Sequence, residues 1–131
     1  MTLLERARAL ADRIASRDTE EGEELHRASR VDGAVPMNEV QPRAVCTVAG
    51  VVVAVTRSVP GEAPQLSVDL SDGTGVVSAR FLGRREITGI APGRVLVLEG
   101  RFCSDSGGLV ALNPAYRLIG SERAEPRAQQ H

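Results

Sequence analysis

The stretch QLSVDLSDGTGVVSARFL, residues 65–82, decides the fold. Leu66, Val68 and Leu70 alternate with Gln65, Ser67 and Asp69, and a strand sends successive side chains to opposite faces, so one face enters a core while the other meets solvent. SDGTG is a tight turn of residues that tolerate positive φ. Beyond it Val77, Ala79 and Phe81 take the inward parity and Val76, Ser78 and Arg80 the outward one. The turn chemistry assigns Asp72 and Thr74 a structural task, with Asp72 accepting backbone amides and Gly73 or Gly75 taking the positive φ. The pattern predicts an antiparallel hairpin with a polar outer face.

Upstream, AVCTVAGVVVAVT is a long β-branched run with Gly50 in its middle, which predicts a first strand that bends or bulges where a side chain would obstruct. RSVPGEAP links it to the hairpin as a loop. Downstream, RREITGIAPG is too short for an independent helix and reads as a compact connection, with Ile87 and Ile90 dipping into the core. RVLVLEGRF is a fourth strand with Leu96, Leu98, Gly100 and Phe102 on one parity. After the SDSGG turn, LVALNPAYRLIG supplies a fifth, interrupted near Pro114. Five strands with the longest connection between the third and fourth follow the plan of the OB-fold, a small Greek-key barrel. The rival SH3-like barrel has shorter strands, whereas a first strand of about a dozen residues can pair on both sides and close the barrel.

The expected chain is therefore mainly β, a five-stranded OB-fold barrel over residues 44–120 with an N-terminal helical arm. In the arm, residues 1–31, Thr2 and Glu5 match a capping box, and Leu3, Ala7, Leu10 and Ile14 recur at helical spacing. Residues 32–43 hold Gly33, Pro36 and Pro42 without a clear period and read as a linker. Residues 121–131 read as a polar, disordered tail.

The strings DLSDGTGVVSARFLGR and GIAPGRVLVLEGRF resemble the OB-folds of the RecG-type helicase wedge and of the tRNA-anticodon-type domains of class II aminoacyl-tRNA synthetases. FLGRREITGI and NPAYRL are similar to short actinobacterial OB-fold nucleic-acid-binding proteins. The likeness spans about residues 43–119. It implies binding of single-stranded or structured nucleic acid without known chemistry, across the outer face of strands two and three. On that face and at its margins the candidate contacts are Arg57, Gln65, Ser67, Ser78, Arg80, Arg84, Arg85, Arg101 and Tyr116. Arginine suits the task because its planar fork grips phosphate and its face can stack on a base.

Composition weakens the expected grip. All sixteen basic residues are arginine, against seventeen acids, and the only rings are Phe81, Phe102 and Tyr116. Residues 41–120 hold eight arginines and six acids, whereas residues 1–40 hold six and nine, so a mildly basic barrel carries an acidic arm. Three or four phosphate contacts give a single-strand salt slope of about −2 to −3 and weak binding at physiological salt. With the phenylalanines inside, only Tyr116 is left to stack, and it reads more readily as a rim or core-edge tyrosine than as a platform. Arg80, Arg84 and Arg85 read equally as a solvated surface paired with Glu86, Glu62 or the arm, and Glu20 to Glu24 could fold over them.

Other classes fit less well. The two histidines, His26 and His131, do not approach metal spacing with Cys46 and Cys103, which read as two buried thiols, so no metal or cofactor is expected. No nucleophile–base pair or phosphate loop points to an enzyme. The charged N-terminus is neither a signal peptide nor a membrane span, which predicts a cytoplasmic protein. The remaining rival is a protein-binding or self-associating module that uses the helical stripe and outward Val76, Val95 and Val97.

Overall fold

A computed structural model describes residues 31–120 together with Glu5 and Ala28. The expected helical arm and C-terminal tail, with His26, His131, the Leu3–Ile14 stripe and Glu20–Glu24, otherwise lie outside the described residues. The chain is mainly β. Its strands are β1 (Val45–Arg57), β2 (Gln65–Ser71), β3 (Val76–Leu82), β4 (Val95–Arg101), β5 (Cys103–Asp105), β6 (Gly108–Leu112) and β7 (Ala115–Ile119). They form one sheet in the order β5-β6-β3-β2-β1-β4-β7, and only β3 and β6 run parallel.

The expected hairpin is β2–β3, with Leu70 opposite Val77 and Leu66 opposite Phe81. Over the described residues the expected count of five is corrected to seven. The predicted fifth strand is broken at Asn113, whose φ is 47°, into β6, which pairs with β3, and β7, which pairs with β4. The break is held by Asn113 itself: its N–H donates to the Arg80 carbonyl at 2.7 Å, and its Oδ1 accepts from the Leu82 N–H at 2.8 Å. The predicted SDSGG turn also carries a strand, because Cys103–Asp105 folds back on β6.

β1 is long enough to serve two neighbours. Its first half pairs with β4 and its second half with β2, with the register slipping between Val52 and Ala54. Gly50 is required where the bend brings other backbone close, since a Cβ there would lie 2.7 Å from the Ser71 carbonyl oxygen. The barrel core holds Val48, Val52, Leu66, Val68, Leu70, Leu96, Leu98 and Phe102, with Ile87 and Ile90 entering from the β3–β4 connection as expected.

Two expectations fail here for the same physical reason, burial by the segment that precedes β1. Residues 32–43 are not a free linker: a 3-10 turn at Met37–Glu39 sends Met37 into the core, and Val40 follows. Val95 and Val97 are not exposed either. With Ala49 and Val51 they form a second apolar cluster on the outside of β1 and β4, packed against Ala28, Val31, Ala34 and Ile119. Val76 is also buried. Of the two thiols expected to be buried, Cys103 is exposed on β5 and Cys46 is half-buried.

Candidate nucleic-acid interface

Opposite partners in a sheet share a face, so the registers assemble the outer surface of β2 and β3 directly. Thr56 lies opposite Ser67, Ser67 opposite Arg80, and Arg80 beside Leu112, a row that crosses β1, β2, β3 and β6. At the usual strand spacing of about 4.8 Å the row is about 14 Å long. A neighbouring row runs through Ala54, Asp69, Ser78 and Val110, and Gln65 and Leu82 make a third pair. Gln65, Ser67, Ser78 and Arg80 thus share the outer face, whereas Arg57, opposite Leu66 at the end of β1, reaches it only at the rim, along a groove. Thr56, Arg57, Ser58, Val59, Glu62, Ala63, Gln65 and Ser67 line a groove of about 470 Å³ between this face and the β1–β2 loop.

The polar groups on the face are largely committed to one another. Ser78 Oγ donates to Asp69 Oδ1 at 2.6 Å. Arg80 Nη2 stands 2.8 Å from Asp105 Oδ2, an ion pair from the middle of β3 to the β5–β6 turn. At the groove mouth, Gln65 N–H donates to Ser58 Oγ at 3.0 Å, which shapes the start of the loop. Arg57 approaches Glu86 only to 3.9 Å, with both side chains largely in solvent. Such a pair contributes little.

The remaining candidates separate. Arg84 is exposed beyond the end of β3, with no ion pair or hydrogen bond to any described residue. Arg85 turns inward: its Nη2 donates to the Glu62 carbonyl at 2.8 Å and reaches the Val59 carbonyl at 3.5 Å, while its Nε is buried without a partner. It ties the β1–β2 loop to the β3–β4 connection. Arg101 lies apart, opposite Val45 at the start of β1, where Nη1 donates to the Arg43 carbonyl at 2.8 Å. Tyr116 is also apart. It pairs with Leu98 on the inner parity, and its ring meets Phe81 edge-on at a centroid distance of 5.5 Å. The rim reading of this tyrosine is the one its position supports.

Sequence reading missed Thr56, Val59, Leu82, Leu112 and Asp105. Leu82 and Leu112 are exposed apolar side chains on the same face as Arg80, and Val59 is exposed on the loop above the groove. Leu82 shares the outward parity of Ser78 and Arg80, which could have found it. Leu112 and Asp105 come from strands whose pairing no local pattern encodes.

Solved structures similar to the chain include RecG bound to a three-way DNA junction, at 18% identity and a TM-score of 0.53. The match covers 68% of this chain but only 13% of the RecG chain. Schizosaccharomyces pombe Pot1pC bound to ssDNA matches at 15% identity and a TM-score of 0.51, over 74% of this chain and 92% of that one. The OB domain of Ta0387 from Thermoplasma acidophilum matches at 13% identity and a TM-score of 0.52, over 75% and 98%. The chain has the OB-fold. No family model and no curated protein matches it, so the likeness to short actinobacterial proteins rests on the strings quoted above.

Proposed function

We propose that this OB-fold barrel binds single-stranded DNA or RNA weakly, without a chemical step, across the outer face of β2 and β3. The observation that carries the reading is a contrast between two outer surfaces. Outside β1 and β4 the sheet is apolar and sealed by the chain's own Ala28, Val31 and Ala34. Outside β2 and β3 it is polar, partly exposed and bordered by a groove.

The chemistry of that face suits an unpaired strand. Arg57 and Arg84 are cations at its margin with little or no competition from described carboxylates. Ser67 and Gln65 offer donors and acceptors to base edges. Where typical single-strand binders supply rings, this face supplies Leu82, Leu112 and Val59, which remove base surface from water without the roughly 1–3 kcal/mol per base of aromatic stacking. Such a site has micromolar affinity. The OB-folds of RecG and Pot1pC, seen with DNA, support the reading by analogy of fold.

The rival reading, a protein-binding or self-associating module, drew on the helical stripe, which lies outside the described residues, and on Val76, Val95 and Val97, which are buried within the chain. Among the described residues no helix is long and apolar enough to cross a membrane. The test is fluorescence anisotropy of labelled single-stranded oligonucleotides over a range of salt. Micromolar binding at low salt, with a log–log slope of about −2 to −3, is the expected result. A flat response at low salt overturns the proposal.

A further inference from the structure

We infer that Asp105 is a built-in competitor for the nucleic-acid backbone: its carboxylate occupies the place on Arg80 that a phosphate would take, and a bound strand must displace it. The inference rests on the proposed function and concerns the regulation of that same face.

Arg80 is the one arginine within the cross-strand row of the face, flanked by Ser67 and Leu112, and it is where a backbone crossing β2 and β3 would pass closest to a positive charge. Its guanidinium is already engaged by Asp105 Oδ2 at 2.8 Å. Carboxylate and phosphate oxygens are alike as ligands of a guanidinium, so a phosphate that takes the Nη2 edge of Arg80 has to displace the Asp105 oxygen there. The pair is open to exchange, since the side chains are 38% and 39% exposed and a pair in solvent is held only weakly.

Asp105 sits on an element with few ties to the rest of the sheet. β5 is three residues long and pairs with β6 alone, at the edge of the sheet. It follows Phe102, which is fully buried and anchors the chain just before it. It ends in a turn where Ser106 and Gly107 both have positive φ, of 53° and 86°. Asp105's other contact, Oδ1 accepting from Ser106 Oγ at 3.3 Å, stays within that turn. Turning the Asp105 side chain away frees Arg80 and leaves the β5–β6 pairing in place.

The test measures anisotropy of a labelled single strand with the wild-type chain, Asp105→Asn, Arg80→Gln and the double variant over a salt series, with Glu99→Gln on β4 as a charge control. Asp105→Asn is expected to bind on the order of fivefold more tightly at low salt with the slope little changed, because Arg80 meets a phosphate in both complexes and only the wild type must first give up its carboxylate. Glu99→Gln should not tighten binding as much. On the Arg80→Gln background, Asp105→Asn should gain nothing. If the wild type binds but Asp105→Asn matches it, or the gain persists without Arg80, the competitor is overturned while the binding face stands. If neither the wild type nor Asp105→Asn binds, the proposed function itself fails, and the competitor with it.

Discussion

Asp72 Oδ2 accepts the backbone N–H of Met37 at 2.9 Å, joining two residues 35 positions apart. The same carboxylate closes its own turn through Oδ1, which accepts from Thr74 N–H at 2.9 Å, Thr74 Oγ at 2.7 Å and Gly75 N–H at 3.2 Å. Thr74 Oγ in turn accepts from Asn38 N–H at 3.2 Å. One hairpin turn thereby holds the 3-10 segment that plugs Met37 into the barrel, which is why residues 32–43 belong to the fold.

Asp72→Ala removes all four of these acceptor contacts and should destabilise the chain by about 2–4 kcal/mol. Asp72→Asn keeps one carbonyl oxygen for the turn but presents an amide donor to the Met37 N–H. Its loss should be about half as large. Urea denaturation followed by circular dichroism separates the two, and equal losses would show that the long-range bond contributes nothing.

Gly50→Ala places a methyl group 2.6 Å from Met37 Cε and 2.7 Å from the Ser71 carbonyl oxygen. The methionine end can swing away, but the backbone oxygen of a central strand cannot. A loss of about 2–3 kcal/mol is expected. Pairing the change with Met37→Ala should not restore the loss, because the Ser71 contact persists. Full restoration in a double-mutant cycle would place the strain in the side chain instead.

Val97 sits in the second cluster, between Val95 and Ala49 on the sheet's outer surface and beneath the segment carrying Ala28. Val97→Ala should cost about 1–3 kcal/mol and leave the molar mass in solution unchanged. An altered mass at unaltered stability, read by sedimentation, would reassign this face to a partner or a second copy.

Much of the barrel could be read from the sequence because its pattern is local. Leu66, Val68 and Leu70 announce one face, Val77, Ala79 and Phe81 answer it, and Gly50 marks the bend. What could not be read depends on distant contacts. β1 is buried on both sides along its middle, so it shows no alternation, and the residues that cover its outer side, Ala28, Val31, Ala34 and Ile119, come from segments on both sides of it in sequence. Asn113 breaks the last strand by bonding to Arg80 and Leu82, and a sequence pattern gives no sight of those partners. The site was legible to the extent that its residues share strand parity: Gln65, Ser67, Ser78 and Arg80 converge. Arg85, Arg101 and Tyr116 look in sequence like the other candidate contacts, but each is spent on a carbonyl or a ring that folding brings to it.

The two thiols differ in exposure. Burial pushes the Cys46 thiol above its ordinary range, because the thiolate loses hydration that the protein does not replace. Cys103 is exposed on the short edge strand. Iodoacetamide near pH 8 should therefore label Cys103 first, with Cys46 labelled only on unfolding, as mass spectrometry of the peptides can establish. A folded-state pKa raised above the unfolded value leaves stability intact below the unfolded thiol pKa, about 8.5, and diminishes it as pH rises through the folded one. The Cys46 contribution should accordingly fade on the alkaline side, and Cys46→Ser should flatten that part of the profile.

Arg84 and Arg85 are adjacent in sequence and opposite in role, which gives the sharpest test of where the phosphates lie. Arg84 is exposed and unpaired among the described residues, so Arg84→Ala should leave stability within about 0.5 kcal/mol. It should weaken oligonucleotide binding on the order of fivefold and make the salt slope shallower by about 0.7. Arg85 donates to the Glu62 carbonyl, so Arg85→Ala should lower stability by about 1 kcal/mol as the β1–β2 loop loses its tie. Any loss of affinity in that variant comes from the loosened groove, and the salt slope stays where it was. Arg85→Lys should fall between, since an ammonium can reach one carbonyl without the fork and also removes the buried, unpartnered Nε. If the slope drops in Arg85→Ala and not in Arg84→Ala, the assignments are reversed, and the phosphate track runs along the loop rather than past the end of β3.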